Sequence, residues 1–218
     1  MRWTLVDGSP RGRRSNTAFL LARLAKGIEA SGNAVDIHHL ALPRDAKTAP
    51  ESFASAERFV LGFPLYTDAM PGQVMDFIER LEGFRGRPGN PPIAFLVQSG
   101  FPEAGHSRAM ERYLEKLAVR LGSRYLGTIV KGGGAGAQDP DARKWLPHLE
   151  TLGRQLGDTD RFDPGTLREL AGPEWFPRWQ HFLVRLALRL TVNRQCDKVL
   201  KKNGVFERRM DRPYELSP

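Results

Sequence analysis

The sequence of 218 residues contains one cysteine, Cys196, so it can form no intramolecular disulfide and cannot by itself hold a four-thiolate zinc or iron–sulfur site. A reducing compartment is the simplest expectation. Without a Cys-x-x-Cys pair or another evident partner, Cys196 reads as a minor apolar position and not as a nucleophile. Long apolar runs are missing as well: the start, Met-Arg-Trp-Thr-Leu-Val-Asp, reaches Asp7 and Gly8 before a secretory core could form, which points to a cytoplasmic chain. Histidines are few. His38 and His39 are neighbours whose side chains point to opposite faces of a strand, and His106, His148 and His181 lack a nearby ligand pattern, so no metal site is expected. The segment after the first apolar strand lacks Gly-x-Gly-x-x-Gly and Gly-Lys-Ser/Thr, which argues against a dinucleotide pyrophosphate turn and a nucleoside-triphosphate cradle.

What is present is ordinary for a globular chain. Apolar residues make 40% and charged residues 27%, which excludes a collagenous, disordered or multi-span membrane protein. The net charge of +8 is unevenly placed. Residues 176–218 hold ten Lys and Arg against four Asp and Glu, while the rest of the chain is close to balance, with 23 against 21. A general nucleic-acid surface is therefore not implied, and no nucleic-acid partner is expected.

Five short apolar runs, at 4–6, 34–38, 58–63, 93–98 and 124–130, alternate with stretches of helical periodicity. Leu20, Leu21, Leu24 and Ile28 mark the first helix, Val74, Phe77, Ile78 and Leu81 another, and Met110, Tyr113, Leu114, Leu117 and Leu121 a third. A further helix is expected over 143–156 despite Pro147, and 41–55 reads as loop with at most a short helix. This alternation argues for an α/β fold: a five-stranded parallel sheet in the order 2-1-3-4-5, with helices on both faces and a carboxyl-terminal helical extension. The expected division is 1–157 for the α/β domain and 158–218 for a linker and basic extension. The order places the loops after strands one, three and four around one crevice.

The first of these loops, Gly8 to Thr17, combines helix-start N–H groups, the hydroxyls of Ser9, Ser15 and Thr17, the Asn16 amide and the guanidinium of Arg11. A terminal phosphate monoester suits this set best; the plainer reading is that Ser15 only caps the helix and the arginines are solvated. The second, Gly62 to Gly72, is stiffened by Pro64 and Pro71 and offers Tyr66 as an aromatic surface. Backbone groups from Leu65 to Asp68 could read the polar edge of a flat ring, with core packing as the rival role for Phe63 and Leu65. In the third, Ser99 and Gly100 allow close backbone approach, and His106 reads as a helix-start or solvent-facing residue. The run Gly132 to Gly136 is either a rim of the site or a mobile connector.

Taken together, Gly8-Ser9-Pro10-Arg11 with Ser15-Asn16-Thr17, then Pro64-Leu65-Tyr66 and Met70-Pro71-Gly72, make the chain resemble the flavodoxin-like NAD(P)H-dependent FMN reductase and quinone reductase superfamily over about residues 1–156. The resemblance implies non-covalent FMN, with Ser9, Arg11, Ser15, Asn16 and Thr17 at its phosphate, and Pro64, Leu65, Tyr66 and Thr67 beside its ring. Ser99 and Gly100 match the third flavin loop. NADPH or NADH would serve as hydride donor, and a quinone-like, flavin or other small oxidised acceptor would be reduced by double displacement. The catalytic contribution expected of the protein is placement, by main-chain N–H groups around Tyr66, Thr67, Ser99 and Gly100, with Gly133 as a lesser candidate. The cysteine cluster that some relatives insert for an iron–sulfur centre has no counterpart. A non-enzymatic electron carrier or redox sensor would use the same pocket, and a degenerate scaffold would bind no FMN.

Beyond the connector 157–173, Trp179, Phe182, Leu183, Leu186 and Leu190 form an apolar stripe, with Arg178, Arg185 and Arg189 on another face of a helix expected over 176–202. The stripe is expected to pack on its own or a partner subunit of a dimer. A peripheral contact with anionic lipid is the alternative.

Overall fold

The computed structural model describes residues 1–177, 179–180, 182–184, 186 and 192–212; Arg178, Arg185, Arg189 and Leu190 of the expected helix lie outside the described residues. Five strands, β1 (Arg2–Asp7), β2 (Ala34–His39), β3 (Arg58–Pro64), β4 (Ile93–Gln98) and β5 (Tyr125–Lys131), form one sheet in the order β2-β1-β3-β4-β5, and every neighbouring pair is parallel. The expected order is the observed one. The connection from β2 to β3 crosses over β1, which opens a crevice where the strands end.

The strands alternate which face each side chain enters. Trp3, Leu5, Val60 and Leu96 pack on one face with Leu20, Leu24, Leu149 and Leu156, carried by α1 (Asn16–Ala30) and α5 (Leu146–Thr159). Val6, Leu61, Phe63, Phe95 and Val97 enter the other face. There they meet residues of α2 (Pro43–Ser55), α3 (Gly72–Arg80) and α4 (Arg108–Leu121), such as Phe53, Val74, Phe77 and Leu114. Two glycines fix the spacing of α1 and α5: a Cβ on Gly27 would fall 2.0 Å from the Glu150 carbonyl oxygen, and one on Gly153 would fall 2.1 Å from that of Leu24. Those helices touch backbone to backbone.

Two expectations change. The segment expected to be loop at 41–55 is the helix α2: Pro43 takes its first turn, where a missing N–H costs nothing, and Phe53 is buried edge-on to Phe59 at 5.1 Å. Thr48, Ser52 and Ser55 return their hydroxyls to carbonyls four residues back, so these polar side chains are satisfied within the helix. Residues 158–175, assigned from sequence to the linker and extension, belong with the first of two compact units, 1–175, and the second spans 176–218. Within the first unit α6 (Pro164–Ala171) buries Leu170 and Ala171, and Asp160 joins Arg58 at 2.8 Å and also Arg124. The second unit has helical residues at 179–180, 182–184 and 186, the helix Val192–Lys202 and a short turn at Phe206–Arg208. Trp179, Phe182, Leu183 and Leu186 are exposed, and so is Cys196, which corrects its reading as an apolar position.

Candidate functional site

Asp7 ends β1 fully buried, and the turn that follows is organised around its carboxylate. The Ser9 N–H donates to Oδ1 at 3.0 Å, the Ser15 hydroxyl to Oδ2 at 3.3 Å, and His39 Nδ1 lies 3.0 Å from Oδ2. Burial pushes the Asp7 carboxyl up, against the hydrogen bonds from His39, Ser9 and Ser15. Ser15 also caps α1, its Oγ accepting from the Ala18 N–H at 2.9 Å, so the plain capping role is real. That leaves the N–H groups of Asn16 and Thr17, in the first turn, without acceptors inside the helix. Ser9, Ser15 and Thr17 are buried, and Arg11, Arg13 and Arg14 are exposed. The Asn16 side chain is engaged elsewhere: it donates to the Ala135 carbonyl at 2.7 Å and accepts from Gln138 at 2.8 Å.

Pro64 closes β3, and Leu65 is buried with its N–H on the Gln98 carbonyl at 2.8 Å, so the rival packing role applies to Leu65 as well as Phe63. Tyr66 is exposed. It exchanges two backbone hydrogen bonds with Ala69, at 2.8 and 3.0 Å, around a two-residue turn in which Thr67 has φ 48° and Asp68 φ 62°. Positive φ at both central residues marks the mirror-image hairpin turn. A β-branched residue there is strained, by about 1–3 kcal/mol. Among the described residues the Thr67 and Asp68 N–H groups have no backbone acceptor. A cleft of about 330 Å³ borders this turn and runs between α3 and α4, lined by Met70, Met75, Ile78, Met110 and Tyr113.

The loop after β4 is joined to the loop after β5. Ser99 is buried, its N–H on the Lys131 carbonyl at 3.0 Å and its hydroxyl on the Phe101 carbonyl at 3.0 Å, while Gly100 is exposed. Gly133 and Gly134 donate to the carbonyls of Phe101 and Ser99 at 2.7 and 2.8 Å, and Gly132 donates to Ala171 at 3.0 Å. The glycine run is thus a bonded rim and not a mobile connector. Gln98, buried at the end of β4, reaches Thr17 Oγ1 at 3.4 Å and so links this loop to the first. Gln73 ties α3 to the same corner by donating to the Gly8 carbonyl at 3.0 Å.

The structure therefore brings Ser9, Ser15, Asn16 and Thr17 together with Ser99 and the β5 rim, and sets Pro64 and Leu65 beside Gln98. Arg11 joins through its backbone, 3.4 Å from Ser9 Oγ, with its guanidinium outside. Sequence reasoning missed Asp7, His39 and Gln98, which carry the internal bonds of the site. It also missed Lys131, buried at the end of β5 with Nζ donating to the Gly132 carbonyl at 2.6 Å and lying 4.5 Å from the Trp145 ring centroid. Loss of solvation pulls the Lys131 amine down to about 8. A charged residue closing an apolar strand was the available signal.

Comparison with known proteins places this geometry. No curated protein matches the sequence. Among solved structures, an NAD(P)H:quinone oxidoreductase from Methanothermobacter marburgensis is similar at TM-score 0.60 and 18% identity, over 72% of this chain and 96% of that one. An FMN-dependent NADH-azoreductase from Bacillus anthracis in complex with FMN is similar at TM-score 0.54 and 14% identity, over 72% and 100%. A flavodoxin from the domain Archaea follows at TM-score 0.51 and 14% identity, over 73% and 99%. At such identities these likenesses speak for the fold. The model of the flavodoxin-like fold matches residues 1–150, and the chain belongs to that family.

Proposed function

We propose that the protein is an FMN-dependent NAD(P)H oxidoreductase that reduces a quinone-like, flavin or other small oxidised acceptor by double displacement. The observation that carries this reading is the convergence of three strand-end loops at the crevice, with unsatisfied N–H groups at the start of α1 and in the Tyr66–Ala69 turn. The donor set fits the group. A phosphate monoester suits the Asn16 and Thr17 N–H groups at the positive end of α1, beside the hydroxyls of Ser9, Ser15 and Thr17 and within reach of Arg11. Because the Asn16 and Ser15 side chains already have partners and the Ser15 N–H donates to the Gly12 carbonyl at 2.9 Å, the main-chain N–H groups of Asn16 and Thr17 are the donors assigned here. The residues that would hold the flat ring are Pro64, Leu65, Tyr66 and Thr67, with Ser99 and Gly100 from the loop after β4. Names among the similar structures, a quinone oxidoreductase and an FMN-dependent azoreductase, agree with this class of chemistry.

Bound FMN supplies hydride acceptance and donation at its own ring, so no protein nucleophile or metal is called for. The protein binds, orients and stabilises charge. The Thr67 and Asp68 N–H groups are fixed by their turn before any ligand arrives, and pre-set donors stabilise developing negative charge without reorganisation. Gly100 and Tyr66 are exposed, and this open side of the site is where nicotinamide and acceptor would enter in turn.

Purified protein incubated with FMN at micromolar concentration should retain it and bleach anaerobically on addition of NADPH or NADH, then recolour with a quinone. Absence of FMN uptake at high micromolar supply sinks the reading. FMN bound without bleaching favours the electron carrier or redox sensor, for which the likeness to a flavodoxin speaks. A homodimer and a cytoplasmic location belong to the same proposal. So does a peripheral lipid contact as the alternative use of exposed Trp179, Phe182, Leu183 and Leu186, to be separated by sedimentation and vesicle flotation.

A further inference from the structure

One cluster in the first unit is not explained by the fold. Phe101, in the β4–α4 loop, stacks on the His106 imidazole with 4.7 Å between centroids and 30° between planes. Trp175 meets the same imidazole edge-on, at 5.3 Å and 68°. Buried Glu103 lies behind them, its Oε2 3.5 Å from His106 Nε2. The two outer rings stay open to solvent, Phe101 at 59% and Trp175 at 60% exposure.

This exposure is held in place. The Ala104 and Gly105 N–H groups donate to the carbonyls of Pro173 and Glu174 at 2.9 and 3.1 Å, and Arg108 Nε donates to Glu174 Oε1 at 3.1 Å. The hydrogen bond from Arg108 holds the Glu174 carboxyl below the usual range. A Cβ on Gly105 would fall 2.3 Å from Trp175 Cζ2, so the indole lies against bare backbone. At the other end the Phe101 carbonyl is gripped by Ser99 Oγ and the Gly133 N–H. Burying a large apolar side chain is worth about 1.5–3 kcal/mol, and a loop shaped by stability alone would turn these rings inward. Trp175 also lies beyond residues 1–150, so the family pattern does not account for it.

We propose that Phe101, His106 and Trp175 form the acceptor site, taking a planar ring with a carbonyl edge, a quinone, on the side of the crevice formed by Ser99 and Gly100. The proposal rests on the oxidoreductase reading above. The exposed surfaces of Phe101 and Trp175 cover part of a flat ring with little entropy to lose, and the imidazole that both touch, its Nε2 beside Glu103, offers Nδ1 to a ring oxygen. An acceptor without a ring gains nothing from this surface.

The test uses 1,4-naphthoquinone as probe, with ferricyanide as the ringless acceptor. Naphthoquinone titrated into the purified protein without nicotinamide should quench tryptophan emission saturably, and Trp175→Ala should lose that component. In turnover, kcat/KM for naphthoquinone relative to that for ferricyanide should fall at least tenfold in both Trp175→Ala and Phe101→Ala. Saturable quenching that survives Trp175→Ala, or a ratio unchanged in both variants, overturns the site. If Trp175→Ala does not fold, the ratio and the quenching affinity in Phe101→Ala decide, since that side chain is exposed. If wild-type protein reduces neither acceptor with NADH or NADPH, the oxidoreductase reading falls by itself, and the quenching measurement still decides whether a planar ring binds at Trp175.

Discussion

The α1–α5 face and the carboxyl edge of the same sheet follow opposite rules. On the face, apolar side chains and bare glycines are pressed together until helix backbones touch. At the edge the chain keeps a buried carboxylate at Asp7, a buried amine at Lys131, positive φ at Thr67 and open rings at Phe101 and Trp175. A core that tolerates no added methyl group provides the rigidity that lets the edge hold groups a core would reject. The face supplies stability and the edge gives some of it up.

The most direct way to break this contrast is to spoil the face. In Gly153→Ala the new methyl would lie 2.1 Å from a main-chain oxygen of α1, where no side-chain rotation can relieve it. A loss of about 3 kcal/mol is expected from denaturant unfolding, while FMN affinity of the remaining folded protein stays as in wild type. A comparable loss of affinity would mean that face and edge are not separable.

A smaller loss is expected at Asp160, which fastens residues beyond α5 to the sheet. Burial pushes its carboxyl up, but the hydrogen bonds and charges of Arg58 and Arg124 outweigh burial and hold it below its ordinary 3.8. Its contribution is complete above that unfolded value and is lost as pH falls through the lower native one. Asp160→Asn should cost about 2 kcal/mol at pH 7, and the gap between variant and wild type should close as unfolding is measured from pH 5 toward pH 2.5. A gap constant with pH would remove the ion pair as its cause.

Lys131 tests the edge from the other direction. Its native value of about 8 lies below the ordinary 10.5, so between those values the unfolded chain holds a proton that the native one has released. Stability therefore rises with pH across that window and is flat below it, where the buried charge is carried in full. Lys131→Met should abolish the rise and add about 1 kcal/mol at pH 7, net of the lost contacts with the Gly132 carbonyl and the Trp145 ring. An unchanged pH slope in the variant would assign it to another group.

How much of each region can be read from sequence follows the same division. Central parallel strands are continuous apolar runs, so β4 is found to the residue and the other four strands within two residues at each end. Helix α2 escapes because Thr48, Pro50 and Ser52 argue locally against it, and distant partners, Phe59 and Phe84 on Phe53 and Arg80 on the Ala46 and Lys47 carbonyls, decide in its favour. The loops of the site are legible as loops through their glycine, proline and serine. Their partners are not: Asn16 finds Ala135, 119 positions away, and Trp175 finds His106 from within a stretch that reads as linker. Such bonds depend on the finished sheet, and no spacing along the chain encodes them.

The smallest effect expected is at Thr67, and it asks whether the edge is strained in the turn itself. At φ 48° the β-branched side chain crowds its own backbone, whereas asparagine accepts this region and is favoured in the mirror-image turn. Thr67→Asn leaves the main-chain freedom of the unfolded state nearly unchanged, unlike a glycine, so a gain reports relief in the folded state. About 0.5–1 kcal/mol is expected, read as a rise in the midpoint of thermal unfolding without ligand, with Thr67→Val as the branched control that shows no rise. Equal midpoints for all three proteins would make the turn an ordinary one and leave Asp7, Lys131 and the open rings as the only groups for which this edge gives up stability.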